Sequence, residues 1–455
     1  MPLNTPAFRD APSPKDGPLA RLETLGKASA LPQRVAGLFP SVSFVDGSAL
    51  WAAIQAVRAD ATSLPDANGS SGVLRRAGNP GFVGLDAGSY HSLGVAVDGS
   101  AWSWGNNSDG KLGNGTTSNS HIPVQVPLPR GVTVRAISAG AFHSLAVATD
   151  GSLWAWGNNS DGQLGSGAAT TTISPVPVQV ALPGEISIEA ASAGAFHSLA
   201  LATDGSLWAW GNNEDGQLGS GSTALGSAAP VRLALPDGVS IRAVSAGSYH
   251  SLAVDTCGSP WAWGRNEDGQ LGNGTDTAGL VPAMVARPWP EGITLASISA
   301  GAFHSLAVDT SGTLWAWGNN KKGQLGDSTT TLRAEPVQVR RTGPEGTTIE
   351  GVTAGRTHSL AVDSNGNVWA WGDNDNGQLG ITDTTQRCEP VQVVRTWPEG
   401  TTVQSATAGG DHSMALVSNG TAFAWGNNAF GQLGTAPPLQ SQPPRNQEEH
   451  HVEGA

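Results

Sequence analysis

AGAFHSLAVATDGSLWAWGNNSDGQLG, residues 139–165, decides the fold because it does not stand alone. Its histidine recurs as His91, His143, His197, His250, His304, His358 and His412, at intervals of 52, 54, 53, 54, 54 and 54 residues. Self-similarity at such a period marks a repeat architecture rather than a string of unrelated domains. Within the block, HSLAVA and SLWAWG each alternate with period two, the pattern of a strand. Between them lies Asp150-Gly151, matched by Asp98-Gly99, Asp204-Gly205, Asn365-Gly366 and Asn419-Gly420. These dipeptides favour a type I′ hairpin turn, in which both central residues take positive φ. Upstream, VRAIS reads as a first strand. Downstream, beyond the NNSDGQLG loop, PVQV reads as a fourth, and its proline suits an outer edge where a missing N–H breaks no ladder.

A four-stranded unit of about 50 residues cannot bury both of its faces, whereas copies packed side by side around an axis can. The reading is an all-β chain, a seven-bladed β-propeller of four-stranded antiparallel blades over residues 81–434. A decayed eighth copy, AGLFPSVSFVDGSALW, spans Ala36–Trp51; Pro40 replaces the histidine and the WGNN–GQLG segment is missing. It supplies the alternative, an eight-bladed ring. The last copy stops at Gly434 without a PVQV strand, so residues 31–80 are assigned to closing the ring, with Leu31–Val35 (LPQRV) as the nearest match to the missing strand. Residues 1–30 are polar and read as a flexible tail. Residues 435–455, rich in Pro, Gln and Glu, read as a disordered one.

Composition bounds the function. Glycine is 61 of 455 residues, far above the usual ~7%, and charged residues are 13% against a usual ~25%. Many tight turns and buried strands follow, and 16 tryptophans argue against disorder. Net charge is −13, while the first 78 residues carry 8 basic and 6 acidic side chains, so the acidity lies in the repeats. An acidic body disfavours nucleic acid, whose phosphates need clustered Lys and Arg. Cys257 and Cys388 fall at unrelated repeat positions and read as free thiols of a reducing compartment. The start lacks an apolar signal core, and no apolar run approaches the ~20 residues of a membrane span. The expectation is a soluble cytoplasmic protein.

With these motifs on the page, the Gly-x-x-His-Ser block, the Asp-Gly turn, the WxWG strand and the GQLG loop, the chain resembles the regulator of chromosome condensation repeat family in its bacterial type. The resemblance is strong over residues 80–435 and weak over 31–80. It implies the propeller fold but leaves function open, because members include a nucleotide exchange factor for a small GTPase, a plant UV-B photoreceptor and a bacterial β-lactamase inhibitor. In the photoreceptor the sensing tryptophan lies just after the glycine of the Gly-x-x-His block. Here Ser89, Ala141, Ala195, Ser248, Ala302, Arg356 and Gly410 stand there, which argues against photoreception.

Residues present in every blade read as architecture. The seven histidines are spread around a ring, so each is expected to hydrogen-bond a neighbouring strand's backbone rather than bind metal. The Trp102/Trp104 type of pair, repeated in six blades and replaced by Phe423/Trp425 in the seventh, puts both rings on one strand face, where they fill the gap between blades. Asp109, Asp161, Asp215 and Asp268 share one loop position and read as solvated turn acids, with Ca²⁺ binding as the sharper alternative. No phosphate loop, metal-ligand spacing or nucleophile motif is present. No cofactor, metal or catalytic residue is assigned, and the chain is read as a non-enzyme.

Function is sought where blades disagree. The residue before each histidine runs Tyr90, Phe142, Phe196, Tyr249, Phe303, Thr357, Asp411. The loop acid position continues as Lys322, Asn376 and Phe430, with Lys321, Arg340, Arg341 and Arg356 adding basic charge to the second half. The candidate partner-binding residues are therefore Tyr90, Phe142, Phe196, Tyr249, Phe303, Arg356, Asp411, Lys321 and Lys322. Aromatics ringing one face resemble an interface core; rings folded over the central channel are the competing reading. The expected function is non-catalytic binding of another protein by one face of the disk. Exchange on a small GTPase is the alternative, although the even repeat intervals show no insertion that stands out as the β-wedge that exchange factors of this family use. An enzyme inhibitor of the β-lactamase inhibitor type is the second alternative.

Overall fold

A computed structural model describes residues 81–435, apart from 168–171, 341–342 and 344–345. Its 27 strands form seven antiparallel sheets. Blade one runs β1 (Phe82–Ala87), β2 (His91–Ala96), β3 (Ala101–Gly105) and β4 (Ser120–Gln125), each strand bonded to the next. The same order repeats through blade seven, where β25 (Val403–Ala408), β26 (His412–Val417) and β27 (Ala422–Gly426) make a three-stranded sheet among the described residues. The ring-closing segment 31–80, the decayed repeat, the N-terminal tail and residues 436–455 lie outside the described residues.

Blade seven packs directly on blade one, so the ring has seven blades and not eight. Phe82 and Trp104 share one apolar cluster with Met414, Leu416 and Leu433. Each of the other six seams has its own cluster, built from one blade's strands and the next blade's tryptophan, such as Leu199 and Leu218 against Trp261 and Trp263. The second tryptophan of each pair is fully buried from Trp104 to Trp371, and Trp425 is nearly so. Each such ring removes on the order of 150–250 Å² from water, which makes the seams the chief apolar store of the fold.

The Asp-Gly hairpins differ from expectation. Ser328 is the one non-glycine with positive φ among the described residues, so Asp98, Asp150 and Asp204 are not in type I′ turns. Instead Gly99 N–H reaches back to Ala96 O, and only the glycine is left-handed, with φ of 80°. This is a type I turn closed by a left-handed glycine, the three-residue hairpin. The aspartate serves another purpose: Asp98 Oδ1 accepts from both Ser100 N–H, at 2.9 Å, and Ser100 Oγ, at 2.6 Å. Local side-chain bonding replaces the positive φ that the dipeptide suggested.

Candidate functional site at the channel mouth

The site is built on the turn between the first two strands of each blade. In blade three, Gly194, Ala195 and Phe196 form this turn and His197 opens the next strand. His197 Nε2 lies 2.9 Å from Ser251 Oγ of blade four. The same bond joins every blade to the next at 2.8–3.0 Å, and His412 to Ser92 closes the circle. The expected backbone partner is therefore corrected to a serine side chain. Each serine also donates to a loop carbonyl of the preceding blade, as Ser198 Oγ does to Gln163 O at 2.9 Å. Trp210 Nε1 donates to that same carbonyl. With its only proton committed, the serine can only accept from the imidazole, so the histidines are assigned as Nε2–H tautomers.

The other imidazole nitrogen, Nδ1, has no hydrogen-bond partner in any of the seven. It faces the turn glycine: a Cβ on Gly194 would lie 2.7 Å from His197 Nδ1 and 2.4 Å from Gly247 O. Protonating Nδ1 would bury a charge with nothing to accept its proton. Burial accordingly holds six imidazoles down at about 3, and burial with Lys111 nearby keeps His91 well below its ordinary range. A second closed circle runs through the backbone, from Ser89 N–H to Gly140 O around to Gly410 N–H to Gly88 O.

One residue before the histidine, the five aromatic residues line the channel mouth, whereas Thr357 and Asp411 do not. The seven turns enclose a cavity of about 320 Å³, lined on one side by the aromatic residues and on the other by Arg356 and glycine. Tyr90, Phe142, Phe196, Tyr249 and Phe303 are all half-buried. Four form a continuous arc: Phe142–Phe196, Phe196–Tyr249 and Tyr249–Phe303 have ring centroids 5.1, 5.7 and 6.2 Å apart. Tyr90 instead meets Phe430 of blade seven edge-on at 5.8 Å. The rings thus combine both sequence readings, leaning over the channel while keeping part of their surface open.

Asp411 holds the equivalent position in blade seven and faces Arg356 of blade six at 3.7 Å, beyond hydrogen-bond reach. Burial pushes the Asp411 carboxyl up, Arg356 only partly offsets this, and Asp373 and Asp375 add to it. Lys321 is exposed.

The loop position of the acid series lies on the same face, since Asn106 N–H donates to Tyr90 O and the pattern repeats around the ring. These acids are not merely solvated. Asp109, Asp161 and Asp268 accept from Asn158, Asn212 and Asn319 of the next blade. Where that neighbour is Asp373, the loop residue is Lys322, bound to Asp373 and Asp375 at 2.9 and 2.7 Å. The charge break that the sequence displays is thus matched across the seam. Arg340 pairs with Glu389. Arg341 lies outside the described residues. No group of three or more metal-ligating side chains occurs among the described residues, and no helix there is long and apolar enough to cross a membrane.

Sequence reasoning missed two residues. Lys111 replaces the glutamine that the other six blades carry in GQLG. It is buried, donates to Asn106 and Asp109 at 2.6 and 2.8 Å, and lies 5.8 Å from the Phe142 ring centroid. Burial draws its pKa down against the pull of Asp109. Arg265, where other blades have Asn or Asp, lies 5.3 Å from the Tyr249 ring centroid. Their signal was a break in the repeat column, one lysine among six glutamines and one arginine among Asn and Asp.

Comparison with known proteins adds three results. Residues 59–294 match the RCC1-like domain, and residues 311–362 and 365–416 match the regulator of chromosome condensation (RCC1) repeat. The Ultraviolet-B receptor UVR8 of Arabidopsis thaliana is 32% identical over 372 residues, covering 82% of each chain. Human WBSCR16 shares the fold with a TM-score of 0.66 at 23% identity, over 77% of this chain and 88% of that one. Prp20p of Saccharomyces cerevisiae, described with its binding properties to Gsp1p and histones, gives 0.65 at 23% identity over 77% and 84%.

Proposed function

Since the chain belongs to the RCC1-like propeller family, we propose that it is a non-catalytic scaffold that holds a partner protein on the channel-mouth face. The arc of half-buried rings at Phe142, Phe196, Tyr249 and Phe303 carries this reading. Apolar rings left partly open in an otherwise closed lattice are the kind of surface that a partner desolvates. Nothing in the blade requires an aromatic there, because Thr357 and Asp411 hold the same position in two blades.

The triple variant Phe142→Ala/Phe196→Ala/Phe303→Ala should keep the wild-type circular dichroism spectrum and lose a partner in affinity purification from the native cell. A true hot spot contributes about 1–2 kcal/mol or more. A folded triple variant with an unchanged partner list would sink the proposal. Regulation of a small GTPase is the second reading, supported by the fold shared with Prp20p and the Gsp1p binding described for that protein. Its test is nucleotide release from purified small GTPases with and without this chain.

A further inference from the structure

We propose that Arg356 is an anion anchor in the channel mouth, taking the carboxylate of an Asp or Glu side chain presented by the partner. This rests on the channel-mouth face being the docking surface and says what chemistry that surface selects.

The residue after the turn glycine is Ser, Ala or Gly in six blades and Arg356 in blade six. Arg356 lines the same cavity as Phe142, Phe196, Tyr249 and Phe303, and it is the only charged residue in that lining. The turn does not need it: Arg356 N–H keeps the ring's backbone bond, to Gly409 O, as its small counterparts do. The guanidinium carries five N–H donors. Its one ion pair among the described residues, to Asp411, is 3.7 Å long, beyond hydrogen-bond reach, and the Arg356 side chain is half exposed.

The other charges of this face are matched. Lys111 is bound to Asp109, Lys322 to Asp373 and Asp375, and Arg265 to Glu267. Asp161 and Asp268 accept from asparagines of the next blade. Arg356 is thus the cation of the mouth whose donors are least used. The rings complete the site. Their faces lie against one another, and Lys111 and Arg265 lie over two of them. What the arc turns toward the cavity is therefore ring edge, which is the positive part of the aromatic quadrupole and suits an anion.

A carboxylate fits this site better than a phosphate. One guanidinium fork matches one carboxylate bidentately, charge for charge. A phosphate dianion needs further donors, and the turn N–H groups from Ser89 to Gly410 are spent in the backbone circle. The probe is N-acetyl-glutamate amide, with N-acetyl-glutamine amide as the neutral isostere, N-acetyl-arginine amide as the opposite charge and inorganic phosphate as the other anion. Binding is followed by NMR on the full chain carrying labelled phenylalanine and arginine, with Phe82, buried at the closing seam, reporting that each variant is folded.

The glutamate probe should shift the Arg356 side-chain signal together with those of Phe142, Phe196 and Phe303, and the glutamine probe should bind about tenfold more weakly. Arg356→Gln should erase that difference, and Arg356→Lys, which keeps the charge but not the fork, should fall between. Asp411→Asn removes the competing carboxylate and should strengthen glutamate binding about threefold. Glutamine binding as well as glutamate, phosphate or arginine binding better, or signals that never move would each overturn the inference. If glutamate fails while the triple alanine variant still loses a partner, the face stands and the anchor falls. If glutamate binds while that variant keeps every partner, the anchor stands and the docking reading falls.

Discussion

Phe196 and His197 are neighbours in one turn, yet they belong to two regions with different logic. The ring of His197 and its six counterparts is identical in every blade, fully buried, and bonded seam by seam into a closed circle. The mouth one residue earlier is aromatic in five blades and polar in two, and it is half open. The difference teaches where identity is enforced. A group that must satisfy the next blade has one acceptable chemistry, whereas a side chain at the channel mouth has only part of its surface held by neighbours.

Acid should break this contrast most strongly. The unfolded histidines titrate near 6.5, while six in the folded ring titrate at about 3. Between those values the unfolded chain binds more protons, so their contribution is complete above 6.5 and is lost as pH falls toward 3. The slope is roughly 1.4 kcal/mol per pH unit for each histidine. Asp86, raised to about 6 by burial in the closing seam, runs the opposite way and offsets at most one of them. Urea unfolding midpoints at neutral pH and at pH values below 6 should therefore diverge steeply. A flat profile would show that the imidazoles are not held neutral.

Gly194→Ala comes next. The added methyl has no free direction between Gly247 O and the His197 ring, so the seam must open, at about 3 kcal/mol or more. Gly351→Ala, where a Cβ meets nothing within 4 Å, is the control and should leave the midpoint almost unmoved. Equal losses in the two would deny that the turn glycines are there for the imidazole.

A smaller contrast separates the neighbours themselves. His197→Ala should cost roughly 1–3 kcal/mol for the bond to Ser251, before any loss of packing. Phe196→Leu conserves most of the volume at a half-open site and should cost less than about 1.5 kcal/mol. Thermal denaturation of the two variants decides; a reversed order would place the structural role at the mouth.

The mildest effect concerns a residue in neither region. Ser328 has φ of 69°, where Gly115, Gly167, Gly221 and Gly274 occupy its place in other blades. Ser328→Gly should relieve about 1 kcal/mol of backbone strain, provided that losing the hydroxyl contacts to Arg340 and Glu389 costs little. A lower melting temperature would mean that those contacts outweigh the strain.

Much of the fold could be read in advance. Seven histidines at a near-constant interval set the blade number, and period-two alternation set three strands in each blade. The turn type could not be read, because Asp-Gly suits both a two-residue turn and a type I turn with a left-handed glycine, and the choice depended on whether the aspartate bonded to Ser100. Of the candidate site, the sequence showed that Tyr90 and the four phenylalanine and tyrosine positions after it are all aromatic and that the series breaks at Thr357 and Asp411. It did not show that Tyr90 leaves the arc for Phe430, since that depends on which side chain the neighbouring loop offers.

The sequence by itself determined the repeat, the strands and the face on which the turns must lie, because these follow from local pattern and spacing. Tertiary structure alone decided the partners. Which nitrogen of each histidine carries the proton, why Lys322 replaces an aspartate, and where Asp411 is left under-paired are all settled between residues about 50 positions apart. Closing a ring brings blade i against blade i+1, and only then does each side chain acquire the neighbour that gives it meaning.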